Sequence, residues 1–165
     1  MKKKIALIGL GYTSQVTHLK CILYSKNAIL TTVFDERKIL TEKVKKKYNL
    51  KNTLTNLEDI KNYHKDIDFV VLCVDRAKQA SYLEILLKNK FHVLTEKPFS
   101  INSTISKKLS KICNKFNLNC MIGHMKIHDP AFIYFKKVIK KIYEKKNEYY
   151  FNSFLFGGDI RNGAN

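Results

Sequence analysis

The chain has 165 residues, enough for one domain with a substantial core and part of a second. Its formal net charge of +17 would suit a polyanion, but only three of its 31 basic residues are arginines, so we expect solvated lysine-rich helix faces and no nucleic-acid partner. No apolar stretch is long enough to span a bilayer, so we expect no membrane partner, and the lack of a C-x-x-C pair favours reduced core thiols and a cytoplasmic location.

Apolar runs alternate with amphipathic helical patterns as far as residue 122. The predicted strands lie near 4–8, 29–34, 67–74, 91–95 and 118–122, with a weaker strand near 52–54. The predicted helices between them lie near 13–25, 37–48, 77–89 and 102–116. This alternation is typical of βαβ units, so we predict an α/β fold with a doubly wound, mostly parallel sheet of the Rossmann type.

Two helices carry finer signals. In the helix near 77–89 one apolar stripe predicts the face that packs on the sheet, and it comprises Ala80, Leu83, Leu86 and Leu87. The helix near 102–116 begins beside two capping residues, so either Asn102 or Ser103 is its predicted N-cap.

The pattern changes after residue 122. Asp129-Pro130 opens a further amphipathic helix, and an aromatic run over 149–156 predicts one more strand. An unpaired strand of this kind would leave an exposed sheet edge, which favours pairing with another chain, either a second copy or a separately encoded domain.

A glycine turn follows the first predicted strand. Gly9-Leu10-Gly11-Tyr12-Thr13-Ser14 is a G-x-G-x-x-S turn that opens a helix. In this context Gly9 permits the tight turn, Gly11 lets the main chain approach a pyrophosphate, and the small Ser14 allows close packing of helix and strand. The helix N-terminus then presents free N–H groups to the phosphates, which makes Tyr12 and Thr13 further candidate contacts. The alternative is an ordinary tight βα turn.

Asp35 ends the second long strand, 21 residues beyond Ser14. A carboxylate there can accept hydrogen bonds from the ribose hydroxyls of an adenosine and repel a 2′-phosphate, which favours NAD over NADP. Arg37 and Lys38 follow closely and favour the phosphorylated cofactor, so both cofactors remain open. Asp35 could instead be a helix N-cap.

The strand near 91–95 runs directly into Glu96-Lys97-Pro98. Ligands of open α/β sheets bind beyond the carboxyl ends of such strands, so Lys97 would hold an ammonium group where chemistry usually occurs. The alternative is an exposed, weak ion pair at a strand end.

Other chemistries find little support in the sequence. His124 and His128 are spaced i, i+4, but the H-E-x-x-H pattern is broken and no ligand cluster accompanies them, so we expect no metal site. Neither a G-x-S-x-G elbow nor a G-x-x-x-x-G-K-[ST] loop is present.

The glycine turn, Asp35, the run Val70-Val71-Leu72-Cys73-Val74 and Glu96-Lys97-Pro98 occur in the order and spacing of the Gfo/Idh/MocA oxidoreductases, and the chain resembles that family over most of residues 3–135. The resemblance implies an NAD(P)-binding Rossmann domain over 1–122 and, over 123–165, the crossover helix and first strand of an incomplete α+β substrate domain. It implies hydride transfer between nicotinamide and a hydroxyl or carbonyl carbon of a sugar or sugar derivative. By the same resemblance Lys97 is the catalytic candidate, Glu96 and Pro98 line the cofactor site, and Pro98 is often preceded by a cis bond.

The sequence also departs from the family pattern. Val74-Asp75-Arg76 replaces a trio such as Thr-Pro-Asn, which places a new carboxylate, Asp75, beside the expected pyrophosphate. Family members run to roughly twice this length, and the segment that carries their usual catalytic histidine has no counterpart here. The alternative function is therefore a non-catalytic or partner-dependent NAD-binding module from a truncated gene.

Overall fold

The computed structural model describes residues 1–143, which form six strands and five α-helices with shorter helical segments between them. The strands are β1 (Lys3–Ile8), β2 (Ala28–Phe34), β3 (Asn52–Thr53), β4 (Phe69–Leu72), β5 (His92–Thr95) and β6 (Cys120–Ile122). The α-helices are α1 (Lys20–Tyr24), α2 (Lys38–Tyr48), α3 (Arg76–Lys88), α4 (Ser103–Phe116) and α5 (Pro130–Tyr143). A π-helical segment, Ser14–Leu19, leads directly into α1, and 3₁₀ turns lie at Leu57–Tyr63 and Met125–His128.

The six strands form one sheet in the order β3-β2-β1-β4-β5-β6. Every pairing is parallel, with Ile8 level with Phe34 on one side and with Leu72 on the other. The chain therefore starts in the middle of the sheet, builds outward through β3, and returns to the other side of β1 for β4. This reversal of strand order next to β1 is the point where α/β sheets of this type bind ligands, at their carboxyl edge.

The core lies on both faces of the sheet. Along β1, Ala6 and Ile8 point to the cluster beneath α3 and α4, whereas Ile5 and Leu7 point to the cluster beneath α1 and α2. A strand buried on both faces reads as a continuous apolar run, because successive side chains point in opposite directions. The predicted doubly wound α/β fold is confirmed.

Several details differ from the sequence prediction. The strand expected over 67–74 is limited to Phe69–Leu72, and the helix expected over 13–25 contains the π-helical segment. On α3, Leu83, Leu86 and Leu87 are fully buried as predicted, but Gln79 is more deeply buried than Ala80. Asn102 is the N-cap of α4, since its side chain accepts a hydrogen bond from the Ile105 N–H at 2.9 Å.

The chain has four cysteines, and the expectation that they are core thiols is wrong for Cys21, which is exposed on α1. Cys113 is buried, and Cys73 and Cys120 are half-buried. All four are free thiols.

The chain divides into two compact units, Met1–His124 and a second that begins at Met125. The described part of the second unit consists of the Met125–His128 turn and α5. The strand predicted over 149–156 lies outside the described residues. Within residues 1–143, no helix combines the length and the apolar character needed to cross a membrane.

Candidate functional site

A cleft of about 500 Å³ opens at the carboxyl edge of the sheet, where β1, β2 and β4 end. Every predicted cofactor residue except Glu96, Lys97 and Pro98 lines it. The lining comprises Gly9, Gly11, Tyr12, Thr13, Ser14, Asp35, Glu36, Arg37, Cys73, Val74, Asp75, Lys78 and Tyr82. The topology thus brings the glycine turn, the end of β2 and the start of α3 around one space.

The glycine turn is closely packed at Gly9 and open to solvent space at Gly11. Gly9 has a φ of +90°, and a Cβ there would lie 2.1 Å from the Cys73 carbonyl oxygen, so this position requires glycine. Ser14 is fully buried, and its hydroxyl donates to the Gly9 carbonyl at 2.5 Å. A Cβ on Gly11, by contrast, would meet nothing within 4 Å. The main chain at Gly11 therefore faces open space beside a helix N-terminus, which suits a pyrophosphate.

Asp35 follows β2 and lies beside the glycine turn, and its carboxylate accepts four hydrogen bonds. Its Oδ2 accepts from the Leu10 N–H at 2.7 Å and from Arg37 Nη2 at 3.0 Å, and its Oδ1 accepts from the Arg37 main-chain N–H and Nε. Burial opposes ionisation, but these bonds outweigh it and hold the pKa of Asp35 below its usual value. The alternative that Asp35 is the N-cap of α2 is wrong, because that position belongs to Arg37.

Three hydrogen-bonded side chains line the cleft between the end of β2 and α3, and the sequence did not predict them: Glu36, Lys78 and Tyr82. Glu36 accepts hydrogen bonds from Lys78 and from the Tyr82 hydroxyl, the latter at 2.5 Å. Burial and the bond to Glu36 raise the pKa of Tyr82 to about 12. Lys78 and Tyr82 are spaced i, i+4 on α3, so they share the helix face that meets the end of β2. This i, i+4 spacing in a helix that begins just after a strand's carboxyl end is the sequence signal that could have identified Lys78 and Tyr82 as site residues.

Glu96, Lys97 and Pro98, here called the Lys97 segment, lie one strand further along the same edge, after β5. His18 Nε2 lies 2.9 Å from Glu96 Oε1, and Gln79 on α3 donates to the carbonyls of Glu96 and Pro98. The Lys97–Pro98 peptide bond is cis. Lys97 itself is exposed, and its ammonium makes no hydrogen bond or ion pair with the residues that the structure describes.

Cys73, just after β4, lies between the glycine turn and the Lys97 segment. Burial, with a smaller contribution from the charge of Glu96, raises the pKa of the Cys73 thiol to about 11, so this group is a neutral thiol at physiological pH. Over residues 1–143, no group of three or more His, Cys, Asp or Glu side chains is arranged to hold a metal ion.

The cleft has the features expected of a dinucleotide site, and the comparison with known families bears on this expectation. Residues 3–124 match the Gfo/Idh/MocA model, described as an oxidoreductase family with an NAD-binding Rossmann fold. The chain belongs to this family. This match confirms the resemblance to the Gfo/Idh/MocA family that the sequence motifs indicated. The Rossmann domain of the chain is of the NAD-binding type.

Solved structures show the same fold at low sequence identity. Scyllo-inositol dehydrogenase from Lactobacillus casei, with bound NAD(H) and scyllo-inositol, superposes with a TM-score of 0.76 at 22% identity, over 86% of this chain and 42% of that one. Myo-inositol 2-dehydrogenase from Lactobacillus plantarum gives a TM-score of 0.75 at 18% identity, over 86% and 42% of the two chains. The chain thus spans less than half the length of these relatives. A search of curated protein sequences finds no match.

Proposed function

We propose that this chain is the cofactor-binding part of an NAD-dependent oxidoreductase that transfers a hydride between nicotinamide and a hydroxyl-bearing carbon of an inositol, a sugar or a sugar derivative. The observation that carries the proposal is the single cleft that joins an open glycine turn to the Asp35 carboxylate, with the Lys97 segment on the next strand along the same edge. The substrate class is supported by what the two inositol dehydrogenases act on.

Each end of the site has a defined task. The Gly11 main chain and the first N–H groups of the following helix hold the pyrophosphate. Asp35 accepts hydrogen bonds from the adenosine ribose in place of those that the exposed Arg37 side chain donates. Bound NAD supplies the hydride chemistry. Because an ionised Asp35 also repels a 2′-phosphate, NAD is the preferred cofactor of the proposed enzyme, with NADP as the weaker one.

Lys97 is the proposed catalytic residue. Its ammonium has no competing acceptor among the described residues, so it is available to donate a hydrogen bond to the substrate oxygen and to stabilise the negative charge that develops there. The hydroxyl proton would pass to a general base on the second domain or to water. The substrate-binding surface would come from a second domain, either on a longer form of this chain or on a partner chain, since the chain spans 42% of its relatives. We also propose a cytoplasmic location, which the four free thiols support.

The test is titration of the purified chain with NADH and NADPH, followed by fluorescence. Turnover assays on a panel of inositols and sugars follow, with the second domain supplied on a longer form of the chain or as a partner chain. We expect NADH to bind, and Lys97→Ala to abolish turnover while retaining binding. Lys111→Ala, which removes an exposed lysine of α4, is the matched control and should behave as the unsubstituted chain. Failure of both cofactors to bind at millimolar concentration would overturn the proposal, whereas binding without turnover would favour the alternative of a non-catalytic module.

A further inference from the structure

His18 forms a side-chain pair across the sheet edge that the proposed chemistry has not used. It lies in the π-helical segment Ser14–Leu19, four residues after Ser14, which is buried against the glycine turn. Side chains four residues apart lie on the same side of a helix, so His18 lies on the same side as Ser14. The contact of His18 with Glu96 places this side at the carboxyl edge of the sheet.

The partner of His18 is 78 residues away along the chain. Nε2 of His18 lies 2.9 Å from Oε1 of Glu96, and the two side chains are only 15% and 17% exposed. Because an ionised carboxylate can only accept, His18 donates this hydrogen bond from Nε2. A charge-assisted bond shielded from water in this way is stronger than an exposed ion pair.

The bond fixes the segment that precedes Lys97. Oε2 of Glu96 accepts from the Lys97 main-chain N–H at 3.3 Å, and the Glu96 carbonyl accepts from Gln79 Nε2 at 2.6 Å. Gly123 packs against the same carboxylate, since a Cβ there would lie 3.5 Å from Glu96 Oε1. Of the two hydrogen bonds to the carboxylate oxygens, the one from His18 is the shorter.

The strand order places this segment at the nicotinamide end of the proposed site. Asp35 follows β2, the glycine turn follows β1, and Glu96 follows β5, on the other side of β1 from Asp35. A dinucleotide with its adenosine ribose at Asp35 and its pyrophosphate at the turn must extend its second half past β4 toward β5.

We propose that His18 is a positioning residue: by holding the Glu96 carboxylate, it fixes the Lys97 segment beside the nicotinamide half of the cofactor. The proposal rests on the proposed function. The hydrogen bond between His18 and Glu96 joins the helix that receives the pyrophosphate to the Lys97 segment. One helix thereby positions both halves of the site.

The test compares two ligands that differ in the nicotinamide ring, NADH and ADP-ribose, on the 165-residue chain. His18→Leu removes the donor, whereas His18→Gln retains an N–H donor. We expect His18→Leu to weaken NADH about tenfold, the equivalent of one hydrogen bond to a charged group, and ADP-ribose less than about twofold, with His18→Gln restoring most of the loss. His64→Leu, at an exposed histidine stacked on Phe91, is the control and should leave both affinities unchanged.

A double-mutant cycle separates positioning from a general loss of structure. If His18 acts through Glu96, His18→Leu should have little further effect on NADH affinity in a Glu96→Gln background. Equal weakening of NADH and ADP-ribose by His18→Leu and His18→Gln, no weakening by either, or full additivity with Glu96→Gln would each overturn the inference. Failure of the unsubstituted chain to bind NADH would instead overturn the proposed function on which it rests.

Discussion

Gly9 and Gly11 lie two residues apart in one turn, but an added methyl group should act differently at the two positions. At Gly9 the methyl group meets a positive φ and the Cys73 carbonyl at 2.1 Å, so we expect Gly9→Ala to lower the free energy of unfolding by roughly 2–4 kcal/mol. At Gly11 the methyl group enters the open space of the cleft, where the pyrophosphate would approach the main chain. Gly11→Ala should therefore keep the stability of the unsubstituted chain and lose NADH affinity. Urea unfolding and NADH titration measure the two effects. Equal stability loss in both variants would contradict this assignment of the turn.

Arg37 occupies acceptors on Asp35 that a bound ribose would use. Its guanidinium donates from Nε and Nη2 to the two oxygens of Asp35, although the Arg37 side chain is itself 61% exposed. We expect Arg37→Ala to free these acceptors for NADH and to remove the cation nearest a 2′-phosphate, so the ratio of the NADPH to the NADH dissociation constant should rise about tenfold.

The neighbouring residue supplies the control for this prediction. Lys38 is exposed and makes no hydrogen bond to Asp35, so Lys38→Ala should change the cofactor ratio less than about twofold. Fluorescence titration with both reduced cofactors gives the ratio for each variant. An unchanged ratio in Arg37→Ala, or an equal change in Lys38→Ala, would show that Arg37 does not discriminate between the cofactors.

At the level of elements, α4 follows the Lys97 segment and depends on a single capping side chain. Asn102 satisfies the Ile105 N–H, whereas Ser103 is already the first residue of the helix. We expect Asn102→Ala to lower the free energy of unfolding by about 1 kcal/mol and Ser103→Ala to leave it nearly unchanged. Thermal and urea unfolding of both variants test this. A larger cost for Ser103→Ala would reverse the assignment of the cap.

The elements could be predicted from the sequence where periodicity or turn chemistry acts locally. The apolar runs of β1, β2 and β4 and the leucines of α3 specify a sheet buried on both faces, and Asp35 followed its strand at the expected place. The contact of His18 with Glu96 has no local signature, because the two residues are 78 apart in sequence and meet only through the topology of the sheet. Gln79 was missed for a similar reason, since its burial depends on two carbonyls of another segment.

At the scale of the whole Met1–His124 unit, a group of lysines lies at the edge of the sheet opposite the cleft. The charged residues that line the cleft are Asp35, Glu36, Arg37, Asp75 and Lys78, which nearly balance one another. By contrast, the last turn of α2 carries Lys45, Lys46 and Lys47, and the end of this helix borders Lys2 and Lys4 at the start of β1, on the opposite edge of the sheet. The net charge of +17 therefore says little about the ligand of the cleft.

This separation makes cofactor binding distinguishable from nucleic-acid binding by its response to salt. Because the cleft is nearly neutral and a dinucleotide carries only a pyrophosphate, NADH affinity should fall less than about threefold between roughly 50 and 200 mM salt, whereas a surface that contacts many DNA phosphates would lose about 10³-fold or more. Replacing Lys46 and Lys47 together by glutamate lowers the net charge at the far edge and should leave NADH affinity unchanged. A steep salt dependence for NADH, or loss of its binding in the double variant, would mean that the lysine-rich surface and not the cleft holds the ligand.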